Sequence, residues 1–349
     1  MSESSHEMLN ALLEAFYDVG CINELNPIRS DHMCRVYMID TSRSKYIVKF
    51  LPSFLKKGDK EFRFINFLKK HQFKTPDVLP AKAGRTNLPL GSYSIEVQEF
   101  IPHDATDNLS KQQVEDLYLK AAEQLGTLHI LSSLYGKTIE KPTYSFDPLK
   151  LQWYGRGLDD LLFVTPILAG QSVLHTKISA KNKDLRDFIL SAVNSLAQIQ
   201  QNMDKKSIQS LKIINHGDYH LGNILFQNPD IAAVIDFDFC FTESYLFDLL
   251  HFIGYALFTY NPIENSFSQQ NLNLNPDLGN RVIHRYREIF PDSFLPPEQC
   301  RSLLKARILG MMLKVVQLLK DKTDMVIVVD RFREISKKID RVCEFLSTT

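Results

Sequence analysis

The reading turns on His216-Gly217-Asp218-Tyr219-His220-Leu221-Gly222-Asn223-Ile224-Leu225-Phe226 and, a little further on, Ile235-Asp236-Phe237-Asp238. Reduced to its pattern this is H-G-D-x-H-x-x-N-I-L-F, a short connection, and a strand that ends in I-D-F. Moving a phosphoryl group from a nucleotide to a hydroxyl needs three oxygen-bearing side chains close together. One carboxylate receives or orients the proton of the attacking hydroxyl; an amide oxygen and a second carboxylate hold Mg²⁺ against the phosphates. Asp218, Asn223 and Asp236 have the residue types and the spacing for these roles. Asp218 and Asn223 share one loop, and Asp236 can meet them if 223–227 and 231–237 pair as a hairpin that turns at Pro229-Asp230. A competing zinc site on His216 and His220, an i,i+4 pair, is disfavoured because Gly217 and Gly222 argue against a helix and no H-E-x-x-H is present.

In HGDYHLGNILF and VIDFDF the chain resembles the aminoglycoside phosphotransferase and choline kinase-like family, a branch of the protein kinase-like fold. The resemblance extends over about residues 25–260. It implies a bilobal α+β fold with a small antiparallel-sheet N-lobe and a larger, mainly helical C-lobe. It further implies Asp218 as catalytic base, Asn223 and Asp236 as Mg²⁺ ligands, ATP as phosphoryl donor, and His216 as a structural residue that braces the loop. Asp248, in Tyr245-Leu246-Phe247-Asp248-Leu249-Leu250, sits where the family carries an aspartate opening a helix. It is either a brace for the catalytic loop or an ordinary first-turn acid. Leu125-Gly126-x-Leu128-His129 resembles the family's L-G-x-L-H helix, in which His129 is expected to pack.

A kinase-like site also needs a strand lysine for the α- and β-phosphates and a helix carboxylate to hold that lysine. Lys49, in Tyr46-Ile47-Val48-Lys49-Phe50, matches the first. Glu61, beside Asp59 and Lys60 at the start of a helix over 59–71, matches the second and resembles the family's helix glutamate. Val97-Gln98-Glu99-Phe100-Ile101-Pro102 resembles the strand that bonds adenine between the lobes, with Glu99 and Ile101 as the backbone contacts. The stretch Ile28–Tyr37, where a protein kinase has its glycine-rich loop, has no glycine; Ser30 or nearby amides are its candidate phosphate contacts. Gly136-Lys137-Thr138 imitates the end of a Walker A motif, but Leu131 stands where the first glycine is required and a helix precedes it, so that reading is rejected.

Hydrophobic periodicity places a helix over 5–20, strands over 33–40 and 45–51 joined at Thr41–Ser44, and a strand over 92–101 closed by Pro102. From about residue 104 helices dominate, over 111–134 with Ser110 as N-cap, 185–202, 245–259, 277–289, 297–320 and 323–346, interrupted by β-rich segments at 211–215, 223–227 and 231–237. This shift sets the expected boundary, an N-lobe of 1–103 and a C-lobe of 104–349.

The 349 residues are 44% hydrophobic and 23% charged, with 41 Lys+Arg against 41 Asp+Glu. That composition argues against wholesale disorder and fibrous architecture, and the charge balance argues against a nucleic-acid-coating or polybasic membrane protein. Cys21, Cys34, Cys240, Cys300 and Cys343 include no C-x-x-C pair, which argues against a disulfide framework. With neither a signal-type N-terminus nor an apolar run of ~18–20 residues, the expectation is a cytoplasmic enzyme that uses ATP and a small hydroxyl-bearing substrate. From residue 262 onward there are 14 Lys+Arg and 11 Asp+Glu, a balance of +3. Polycationic aminoglycosides would favour an acidic cleft, so a neutral or amphoteric alcohol (a sugar, an amino-sugar or an amino alcohol) fits better. Asp238, Glu243 and Glu264 are the nearby acids that could recognise its hydroxyl or amine. A Ser/Thr protein kinase of the stress-response type and a catalytically inactive scaffold are the alternatives. The intact Asp218, Asn223, Asp236 and Lys49 set argues against the scaffold.

Overall fold

A computed structural model describes residues 3–30, 34–52, 59–106, 109–140, 162, 164–175, 183–203, 212–227, 229–257, 275–291, 297–318, 335, 340 and 343. They form two compact units, residues 1–105 with 224–238, and residues 106–223 with 239–349.

The first unit begins with α1 (Glu3–Phe16), β1 (Ile22–Ser30), β2 (Arg35–Thr41), β3 (Lys45–Pro52), α2 (Asp59–Lys70), β4 (Val78–Leu79), β5 (Leu88–Leu90) and β6 (Tyr93–Glu99). The strands make an antiparallel sheet in the order β1-β2-β3-β6-β4, with β5 also on β6. The β2–β3 turn is set by Thr41: its Oγ1 accepts from the Arg43 and Ser44 N–H groups (3.2 and 3.1 Å) and donates to the Ser44 carbonyl (2.7 Å), a side-chain turn of the kind threonine favours. Tyr37, Ile39, Val48, Ile95 and Val97 project from the sheet onto Leu13, Tyr17 and Val19 to make the core. Tyr17 reaches through it to donate to the Ile95 carbonyl (3.0 Å), so the buried hydroxyl is satisfied. The sequence reading runs the first helix to Gly20 and has no strand before residue 33. The helix instead ends at Phe16 and β1 follows. Ile22-Asn23-Glu24-Leu25-Asn26-Pro27 hides that strand because it is polar, contains a proline and pairs irregularly with β2; an edge position tolerates all three.

The second unit starts with α3 (Lys111–Tyr135), α4 (Thr165–Leu174), α5 (Lys183–Asn202) and β7 (Lys212–Asn215). The chain then returns to the first unit as the antiparallel hairpin β8 (Ile224–Gln227) and β9 (Asp230–Val234), with Ile224 opposite Val234. The hairpin is tied there by Val234 N–H to the Lys74 carbonyl (2.8 Å), Lys74 Nζ to the Ile231 carbonyl (2.7 Å), and Asp104 N–H to the Phe226 carbonyl (2.8 Å). The second unit resumes with β10 (Phe241–Ser244), α6 (Leu246–Leu257), α7 (Pro276–Ile289) and α8 (Pro297–Leu318), and β10 pairs antiparallel with β7. Gly126 lets α3 and α7 approach closely: a Cβ there would lie 2.8 Å from Ile289 Cβ. The sequence reading omits α4 and β10, and its helix over 323–346 lies almost wholly outside the described residues. No helix among the described residues is long and apolar enough to cross a membrane.

α3 opens with a capping box. Ser110 Oγ accepts the Gln113 N–H (3.3 Å) and Gln113 Oε1 accepts the Ser110 N–H (2.8 Å). Replacing Ser110 with alanine should lower stability by ~1 kcal/mol, read as a lower denaturant midpoint at unchanged slope.

Candidate active site

β7 delivers the chain into His216-Gly217-Asp218, and the turn depends on Gly217. Its φ is +88°, and a Cβ there would lie 2.2 Å from the Phe239 carbonyl oxygen, so no other residue fits without displacing backbone. The turn aims two successive N–H groups inward, and Asp248 in the first turn of α6 receives both. Its fully buried carboxylate accepts the His216 N–H at 2.5 Å and the Gly217 N–H at 2.9 Å, while its own N–H donates to Asn215 Oδ1 at 3.3 Å. His129 Nε2 lies 3.6 Å from the same carboxylate, and its Nδ1 is 2.7 Å from the Tyr286 hydroxyl. The buried His216 ring turns back on its own loop, with Nδ1 accepting the Asp218 N–H (3.3 Å).

Asp218 emerges from this scaffold with its side chain about one-third exposed (33%). Its Oδ1 is 3.3 Å from His251 Nε2, and its Oδ2 is 3.5 Å from His220 Nε2 and 3.3 Å from Asn223 Nδ2. The Asn223 amide nitrogen also donates to the Asp218 carbonyl (2.9 Å), which leaves its amide oxygen available to a cation. His220 Nδ1 accepts the Gly222 N–H (3.0 Å), so the neutral ring carries its proton on Nε2, facing Asp218. Burial alone would push the Asp218 carboxyl up, but attraction and hydrogen bonding from His220 and His251 outweigh it and hold the group well below the usual carboxylate range. The sequence reading weighs His220 only as a zinc ligand and does not single out His251. The latter's one available signal is its i,i+3 spacing from Asp248 on the same helix.

The first unit holds a second polar cluster. Lys49 Nζ donates to Asp236 Oδ1 at 2.7 Å and Asp238 Oδ2 at 3.3 Å, and Lys49 and Asp238 are both nearly inaccessible. Burial opposes the lysine's charge, but Asp236, Asp238 and Glu96 together raise its pKa above the ordinary lysine value. Asp236 is pushed up to about 6, first by burial and then by the neighbouring Asp238, against the pull of Lys49. Its backbone φ is +70°, a conformation that costs a non-glycine residue ~1–3 kcal/mol and that collects at functional sites. Glu96, missed in the sequence, is the cross-strand partner of Lys49 in the β3–β6 register and accepts from Gln98 Nε2.

Glu61 lies half-buried in the first turn of α2, and the acids set on the Lys49 ammonium are Asp236 and Asp238. Ser30 ends β1 opposite Arg35; its side chain and residues 31–33 lie outside the described set. Glu99 ends β6 with its N–H on the Asp77 carbonyl (2.9 Å), and the Ile101 carbonyl is 2.9 Å from His103 Nδ1. Glu243 is buried in β10, its Oε1 accepting the Ser244 N–H (3.0 Å) and its carbonyl accepting from Asn215 Nδ2 (3.0 Å). Glu264 lies outside the described residues.

Residues 24–273 match the family described as the phosphotransferase enzyme family (APH). The chain belongs to that family. It is accordingly a phosphotransferase of the kinase type, acting on a hydroxyl acceptor. Comparison with curated proteins gave no match. Among solved structures, the chain is similar to spectinomycin phosphotransferase APH(9)-Ia in complex with ADP and spectinomycin, at 15% identity and a TM-score of 0.58 over 97% of each chain. An aminoglycoside phosphotransferase from Alicyclobacillus acidocaldarius superposes at 11% identity and a TM-score of 0.59, over 95% of this chain and 93% of that one. A thermostable mutant of APH(4)-Ia, a ternary complex with ADP and hygromycin B, does so at 11% identity and 0.54 over 97% of each. These likenesses establish the fold the sequence led us to expect: the protein kinase-like α+β architecture of an antiparallel-sheet unit and a mainly helical unit.

Because Asp248 serves two buried N–H groups with two charged oxygens, Asp248→Asn should strand one of them. A loss of ~1.5–3 kcal/mol is expected, measured by urea unfolding, together with a fall in turnover.

Proposed function

We propose that this protein transfers the γ-phosphate of ATP, with Mg²⁺, to a hydroxyl of a small molecule. The observation that carries the reading is the Asp218 carboxylate, kept ionised between two imidazoles and bonded by Asn223 of the same loop. A carboxylate so held can orient the acceptor hydroxyl and take its proton as the oxygen attacks phosphorus. Lys49 would neutralise the α- and β-phosphates, which suits a buried ammonium that Asp236 and Asp238 keep charged. The Asn223 amide oxygen and the Asp236 carboxylate are hard oxygen donors of the kind Mg²⁺ takes. Held by such donors, Mg²⁺ would supply charge neutralisation on the transferred phosphoryl group. Most of the rate gain in such a reaction comes from positioning and from charges fixed in advance.

For the donor, support comes from the solved relatives, which hold ADP. For the acceptor, those relatives hold spectinomycin or hygromycin B, whereas the +3 balance of this chain beyond residue 262 disfavours a strongly cationic substrate. Asp238 and Glu243, the acids considered for recognising an amine, are both buried and already bonded. A neutral or amphoteric small alcohol such as a sugar, amino-sugar or amino alcohol fits best.

Asp218→Ala should lower ATP turnover on a panel of alcohols by ~10²–10⁴-fold while the thermal shift with nucleotide persists; near-normal turnover would remove Asp218 from the base role. Asp236→Ala should in addition lose the Mg²⁺-dependent part of that thermal shift. Label from the γ-phosphate is expected in a small molecule, and its recovery only in protein would overturn the acceptor class.

A further inference from the structure

Arg307, on α8, is buried (6% exposed), and no carboxylate pairs with it among the described residues. A buried cation without an opposite charge is unfavourable. Its guanidinium lies in a slot left by Gly254 on α6, where a Cβ would fall 2.9 Å from Nε. From that slot its NH2 group meets His251 Nδ1 at 3.0 Å. A guanidinium can only donate. His251 Nδ1 is therefore the acceptor, the ring proton sits on Nε2, and Nε2 is the atom 3.3 Å from Asp218 Oδ1.

We propose that Arg307 and His251 are positioning residues for phosphoryl transfer: the guanidinium locks the imidazole as the neutral Nε2–H tautomer, whose Nε2, otherwise unbonded, lies 3.3 Å from Asp218 Oδ1, within reach of the carboxylate when it turns to bond. The inference rests on the reading of Asp218 as the base. An imidazolium at His251 would grip Asp218 as an ion pair and weaken its hold on the acceptor's proton, whereas a neutral N–H orients the carboxylate and leaves its charge in place. The groups facing the ring are Asp218 and His220 from the catalytic loop, Tyr255 from its own helix at 4.9 Å between ring centroids, and Arg307 from α8. Their balance agrees with the geometry. Burial first, then Arg307 and His220, outweigh Asp218 and push the His251 pKa down to about 4. Burial lowers Arg307 only to about 10, so it stays a cation at neutral pH.

The test uses the full chain with ¹⁵N-labelled histidine, and the His251 signals are assigned by their loss in H251Q. Long-range ¹H–¹⁵N spectra should show His251 as the Nε2–H tautomer, with no titration between about pH 5 and 8. In R307M, which keeps the apolar bulk, the ring should become a tautomer mixture that protonates within that range. Turnover on the best alcohol of the panel should fall ~10–100-fold, as when the outer partner of an orienting imidazole is lost, and more so at acid pH, with the KM for ATP unchanged. In the H251Q background, where the glutamine amide can neither tautomerise nor protonate, Arg307→Met should cost little further turnover. An Nδ1–H tautomer in the wild type would overturn the proposal. So would a tautomer unchanged in R307M, or an Arg307→Met loss as large in the H251Q background as in the wild type. The spectroscopic arm needs no acceptor. Failure of Asp218→Ala to affect turnover would sink the base assignment and leave the tautomer result standing, so the two failures are distinguishable.

Discussion

The His216–Asp218 loop hangs on one buried carboxylate. A left-handed turn at Gly217 points the N–H groups of His216 and Gly217 into the interior, where water cannot serve them and each must find an acceptor. Asp248 takes both, and its own N–H is taken by Asn215 at the end of β7, so strand, loop and helix close into a single hydrogen-bonded circuit. A buried carboxylate is tolerable only when its oxygens are occupied, and the first turn of a helix adds a favourable dipole. The direction in which Asp218 emerges follows from that circuit.

Two aspartates of the motif end in opposite electrostatic settings. Asp218 is ringed by donors, and the gain from His220 and His251 exceeds the cost of burial. Asp236 is partly buried beside another acid, Asp238, and its ionisation is resisted even with Lys49 in contact. Environments that push like groups apart are how a site assigns different tasks to the same side chain. The first setting suits a group that keeps a negative charge in readiness for a proton. The second suits one that is stabilised by arriving positive charge.

Much of this was legible in the sequence because the motif is local. Asp218 and Asn223 lie five residues apart on one loop, and their mutual hydrogen bonds need little beyond that spacing. The β8–β9 hairpin was signalled by apolar runs around Pro229-Asp230, and α3 by its cap and stripe. What was not legible depends on distant pairing. β1 has a polar sequence, and only its edge position explains it. Glu96 faces Lys49 through strand register, which a single strand's pattern does not encode. His251 and Arg307 are 56 residues apart in the chain and meet through the approach of α6 and α8 around Gly254. Helix periodicity marks such residues as interior and says nothing of their partner.

Finally, the chain passes from one compact unit to the other at residues 105/106, 223/224 and 238/239. The insertion that carries Asp236 is thus encoded in the middle of the helical half while its hydrogen bonds lie with the sheet half. Dissection at residue 105 would leave the amino-terminal fragment without the acid that meets its own Lys49, and would leave the carboxy-terminal fragment with an orphaned ribbon. No single cut in the chain therefore separates the two compact units.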